Sequence, residues 1–231
     1  MCIMTSTIVG VGVLALPRIV VNLAETGAPM AILLGMLLAL LIALPWILIG
    51  KRHPNATIIQ TTQKLCGLVS IPINLCYVTL AGFLTAMAAR EFGEVVITSV
   101  LRSTPLEVTI VIMLVLAALG VRNNFGTFAR IHEFYLPFIL IPGLIIVFLS
   151  LKDARLIYLL PVSGNSLPQV GNATLLAAGF FQGFAVLGMI IPFLKAPGKM
   201  GKAVAAGIVI AGMSLLLSVV ASLGVFGSGE T

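Results

Sequence analysis

Ala28 to Gly50 is an apolar run without a single charged residue. No other feature constrains the fold as strongly. At about 1.5 Å per residue, a helix over this run reaches roughly 34 Å, enough to cross the hydrocarbon core of a bilayer. The rest of the chain has the same character. Of its 231 residues, 60% are hydrophobic and 9% are charged, where a soluble domain carries roughly 25% charged residues. In hydrocarbon every backbone N–H and C=O must be bonded internally, and a chain with no convincing strand meets that demand with helices. The class is an all-α, polytopic integral membrane protein.

Seven apolar segments are read within one transmembrane domain, residues 1–231. They cover about 2–24, 28–50, 67–89, 106–121, 134–151, 173–194 and 203–225. Pro137 and Pro142 in the fifth read as kinks whose freed backbone groups are satisfied by neighbouring helices. Gly207, Ala211, Gly212 and Ser218 in the seventh permit close helix packing. The net charge of +6 raises the question of nucleic acid, but no basic run with interleaved aromatics is present, which excludes that partner. The basic residues instead gather in alternate loops. With the N-terminus in the cytoplasm, the inner loops hold Lys51, Arg52, Lys64, Arg122, Arg130, Lys195, Lys199 and Lys202, against Glu133 as their sole acid. The outer side then holds Arg18, Arg90, Arg102, Lys152 and Arg155 against Glu25, Glu91, Glu94, Glu107, Asp153 and Glu230. The positive-inside rule selects this orientation. No cleavable signal peptide is evident.

No catalytic constellation is visible, and an enzyme is not expected. Cys2, Cys66 and Cys76 show no metal-ligand spacing and read as packed or free thiols. His53 and His132 lack a partner at helical spacing, so no metal and no cofactor is expected. Glu91 and Glu94 share a helix face but read as a solvated rim. Asn55-Ala56-Thr57 and Asn172-Ala173-Thr174 match the glycosylation pattern, the first in an inner loop, and both read as chance matches.

Candidate binding residues come from two irregular stretches. Gly10-Val11-Gly12-Val13-Leu14-Ala15-Leu16-Pro17-Arg18 sits inside the first apolar segment. Glycine weakens a helix and proline removes a backbone donor. If the helix opens at Gly10, Val11 and Gly12, its free amides favour a carboxylate and its free carbonyls an ammonium group. A zwitterion such as an amino acid fits that description. The alternative is that the glycines only allow tight packing. The sixth segment carries Gly179-Phe180-Phe181-Gln182-Gly183-Phe184-Ala185-Val186-Leu187-Gly188 and then Pro192. Gly-broken segments in corresponding positions are the sequence pointer to a midplane site; aromatic packing with a helix-to-helix hydrogen bond from Gln182 is the alternative. Phe181, Gln182, Gly183 and Phe184 are therefore candidate wall residues. Tyr77 lies on a face with Leu80, Ala81, Leu84 and Ala88, where its hydroxyl either reaches a ligand or packs on a neighbour. Arg18 either gates an outer vestibule, paired with Glu25 or Glu94, or snorkels to the interface.

Ile8 to Arg18 resembles the first-span motif of spore germination permeases, the B subunits of endospore germinant receptors in the amino acid–polyamine–organocation superfamily. Gly126-Thr127-Phe128-Ala129-Arg130-Ile131-His132-Glu133, leading into a proline-containing segment, is similar to the same family. So is Leu159-Leu160-Pro161-Val162 before the sixth segment. The resemblance covers essentially the whole chain. It implies a LeuT-like helix bundle of two inverted five-helix repeats, of whose ten spans about seven are present here. It implies a germinant site between the first and sixth spans, with A- and C-type receptor subunits as partners in the spore inner membrane. Proton-coupled relatives carry a lysine in the fifth span, and 134–151 has none, which favours sensing over coupled transport. Three readings follow: a germinant-sensing subunit that binds a small nutrient such as an amino acid, an amino-acid transporter working by alternating access, and a structural membrane subunit without a ligand.

Overall fold

The computed structural model describes residues 1–122, 125–161, 166–181, 183–194 and 196–227. Among them no strand occurs, and the all-helical class expected from composition holds. The backbone divides into two compact units, Met1–Pro54 with His132–Thr231, and Asn55–Ile131.

In the first unit, α1 (Cys2–Ala24) passes through a 3-10 turn at Glu25–Gly27 into α2 (Ala28–Arg52). Lys51 and Arg52 occupy the last turn of α2, where cations complement the helix dipole. The second unit holds α3 (Ile58–Cys66), α4 (Ser70–Ser99) and α5 (Leu106–Val121). Next comes α6 (Phe125–Ser150), which carries Pro137 and Pro142 without interruption. It is followed by α7 (Leu167–Phe180), α8 (Gly183–Ile190) and α9 (Met200–Phe226). Four stretches are long and apolar enough to cross a membrane: Gly12–Arg52, Ile58–Ser99, Phe125–Ser150 and Met200–Phe226. The first of these contains most of α1 and all of α2, and Leu106–Val121 is a shorter apolar helix.

Several helices extend beyond their apolar segments. α4 continues through Arg90, Glu91 and Glu94 to Ser99, supported by an Arg90–Glu94 ion pair of 2.9 Å one turn apart. Glu94 thus bonds within its own helix. α6 starts at Phe125, well before the apolar run at 134. α3 lies in a stretch read from sequence as loop. Thr57 caps it: the Gln60 amide donates to Thr57 Oγ1 at 3.3 Å, and the Thr57 amide donates to Gln60 Oε1 at 3.0 Å.

Within the first unit, small residues of α2 line its contact with α7, while large leucines lie on another face of α2. On α2, Ala31, Gly35, Ala39 and Ala43 are buried, while Leu33, Leu37, Leu41, Leu44 and Leu48 are exposed along another face. In lipid there is no hydrophobic drive between helices, so close backbone approach supplies the packing. Gly35 shows how close: a Cβ there would lie 2.8 Å from Ala177 Cβ and 3.1 Å from the Ala178 backbone nitrogen on α7.

Candidate functional site

The first helix is closed where sequence reasoning expects it open. α1 runs unbroken from Cys2 to Ala24, through Gly10, Gly12 and Pro17. The energetic reason is direct. Glycine in a helix costs about 1 kcal/mol, whereas each backbone group freed in hydrocarbon costs several. Gly12 serves packing instead: it is buried, and a Cβ would lie 2.9 Å from Leu215 Cδ2 on α9. Gly10 is exposed with nothing within 4 Å of a Cβ position. The side chain of Val11 lies outside the described residues. Pro17 alone disturbs the ladder, since the Val13 carbonyl has no i+4 amide to accept from.

The sixth segment is interrupted where the glycines suggest. α7 ends at Phe180 and α8 begins at Gly183, and Pro192 then sits in a 3-10 turn over Ile191–Phe193. The Phe181 amide donates to the Ala178 carbonyl at 3.1 Å, closing the end of α7. Phe181 is fully buried, and its ring lies 3.3 Å from a Cβ position on Gly212 of α9. Gly183 abuts α1, where a Cβ would meet Ile8 Cγ1 at 3.2 Å and Met4 Cε at 3.4 Å. A side chain there would require Ile8 to give by a few tenths of an ångström. Gln182 lies outside the described residues, as does the side chain of Phe184. Tyr77 sits half-buried on α4, in the other unit. Arg18 is exposed on the C-terminal half of α1.

Sequence reasoning missed the polar seam of α1. Thr5 is fully buried, and its hydroxyl donates to the Met1 carbonyl at 3.3 Å and the Gly207 carbonyl of α9 at 3.4 Å. Ser6 Oγ donates to the Ile3 carbonyl at 3.1 Å and stands 2.6 Å from Nδ1 of His132 on α6. With the hydroxyl proton directed at Ile3, the short contact reads as donation from Nδ1–H to Ser6. Thr7 Oγ1 donates to Ile3 at 2.8 Å. The signal was present as Thr5-Ser6-Thr7, a polar run in an apolar crossing. Met4 and Ile8, which touch Gly183, bracket this seam. α1 and the start of α8 therefore meet as an apolar contact flanked by hydroxyls, next to two helix ends. Among the described residues no cluster of three or more His, Cys, Asp or Glu could hold a metal.

Comparison with known proteins bears on this arrangement. The family model described as "Spore germination protein" matches residues 1–231. Spore germination protein B2 of Bacillus subtilis (strain 168) is 28% identical over 212 residues, 88% of this chain and 56% of that protein. Spore germination protein YndE of the same organism is 26% identical over 200 residues, 85% of this chain and 54% of that protein. The chain thus spans about half the length of these curated relatives. No solved structure matches it. A family match over the full chain and apolar helices of membrane-crossing length lead to one conclusion: the chain belongs to the spore permease family and is a germination-related membrane protein of permease type.

Proposed function

We propose that this chain is the germinant-sensing membrane subunit of a spore germinant receptor, and that a small nutrient such as an amino acid binds where α8 begins against α1. The observation that carries this reading is the end of α7 at Phe180, with Gly183 following against Met4 and Ile8 of the first helix. A helix end leaves carbonyls free to accept and a helix start leaves amides free to donate, although the Ala178 carbonyl already accepts from the Phe181 amide. Acceptors and donors side by side suit a zwitterion. Phe181, Gln182, Gly183 and Phe184 remain the candidate wall residues of this reading, and the Thr5–Thr7 hydroxyls supply further polarity. Because α1 is closed, Gly12 acts through packing and Arg18 through the outer rim. Ligand binding changes the balance between two packings of α8 on α1, and A- and C-type partner subunits in the spore inner membrane read that change. The N-terminus faces the cytoplasm in this reading.

A second reading, an amino-acid transporter, is favoured by the same interrupted crossing, since transporters build midplane sites from such helices. The two separate in vesicles reconstituted with the chain and offered a panel of radiolabelled amino acids. The sensor gives saturable binding of at least one amino acid, weakened at least tenfold by Gln182→Leu, with no accumulation in the lumen. Accumulation against a gradient establishes the transporter. Absence of both in a folded preparation leaves the structural subunit.

A further inference from the structure

Away from the α7–α8 break, the first unit contains a half-open cleft of about 420 Å³ between the outer half of α1, the end of α6 and the end of α9. Its polar lining is Ser150, Asp153, Ser218 and Ser222, with Val13 and Pro17 on the α1 side. Every fixed feature of that lining is an acceptor. Ser150 Oγ donates to the Ile146 carbonyl at 2.8 Å and Ser218 Oγ to the Ser214 carbonyl at 3.1 Å, so both hydroxyls turn lone pairs outward. Pro17 denies the Val13 carbonyl its helical amide. α6 ends at Ser150 and α9 at Phe226, both in the lining, and each helix C-terminus contributes about half a negative charge.

Asp153, an exposed residue of the lining, adds a full negative charge, and hydrogen bonds hold its backbone. Its amide donates to the Ser150 carbonyl at 3.1 Å, and the Arg155 amide donates to the Gly224 carbonyl of α9 at 2.8 Å. Gly224 lets the loop close in, since a Cβ there would lie 3.0 Å from Ala154 Cβ. Lys152 and Arg155 flank Asp153 in sequence but do not line the cleft. The remaining wall is apolar, with Ile146, Val147, Val225 and the ring of Phe226.

We propose that this cleft is a binding site for a small organic ammonium, held by Asp153, the Ser150, Ser218 and Ser222 oxygens and the Val13 carbonyl, with its alkyl body against Val225 and Phe226. An inorganic cation fits less well: the cleft is far larger than a bare ion, a single carboxylate is a poor divalent site, and the aromatic wall favours an organic cation. The site is independent of the one at Gly183.

The chain in lipid nanodiscs tests this, with propylammonium, uncharged propanol and K⁺ as probes and saturation-transfer NMR as readout. Propylammonium is expected to bind saturably, propanol not to bind, and equimolar K⁺ not to displace the amine. Asp153→Asn weakens binding at least fivefold, Asp153→Glu restores it, and Ser222→Ala weakens it about twofold. Gln182→Leu leaves amine binding unchanged, which keeps this site separate from the amino-acid site. Circular dichroism verifies that each variant is folded; should Asp153→Asn fail to fold, Ser218→Ala and Ser222→Ala carry the comparison. Equal affinity in folded Asp153→Asn and the parent, equal binding of propanol, or displacement by K⁺ overturns the proposal.

Discussion

Gly35 and Gly10 look alike in the sequence and behave oppositely in the fold. Gly35 lies against the α7 backbone, so any side chain must push the two helices apart, and overpacking of this kind costs about 1–3 kcal/mol. Gly10 faces open space on a closed helix, so an alanine there removes the helix penalty of glycine, up to about 1 kcal/mol. The expected result is that Gly35→Leu lowers the unfolding free energy in nanodiscs by that first amount, while Gly10→Ala leaves it unchanged or raises it. A fall in stability with Gly10→Ala would mean that α1 is open at that point after all. Glycine content alone does not separate these roles. The difference lies in what stands opposite each residue, and that comes from helices more than a hundred positions away: Ala177 for Gly35, and Leu215 for Gly12.

At the scale of elements, the helices built on long apolar runs were readable because length and hydropathy decide them together. The break between α7 and α8 was readable too, since Gly179, Gly183 and Gly188 cluster with Pro192. The break expected in α1 did not form. Local propensity there was outweighed by the cost of freeing backbone groups in lipid. α3 went unread although its signature, Thr57 followed three residues later by Gln60, was present. That motif predicts its own experiment. Thr57→Ala removes a cap contributing about 1 kcal/mol, so amides of the first turn, Ile58 to Thr61, should exchange about fivefold faster. Unchanged exchange would mean that contacts along the helix, not the cap, hold that end.

For the molecule as a whole, the orientation rests on charge distribution across loops. Cys66 offers a direct check because it is exposed at the end of α3, beside Lys64. With Cys2 and Cys76 replaced by serine, a membrane-impermeant maleimide should label Cys66 in inverted vesicles and leave it unlabelled in intact cells. Labelling from outside would reverse the topology. What remained unreadable at this scale was the polar bond between Ser6 and His132, two residues 126 positions apart with no shared motif.

The shortness of α7 and α8 has a consequence for assembly. α7 has 14 residues and α8 has 8, which at 1.5 Å per residue is about 21 Å and about 12 Å. Neither helix reaches the roughly 30 Å of a bilayer interior. Each therefore depends on α1 and α2, which pack against both. During biogenesis both must settle after those braces are in place.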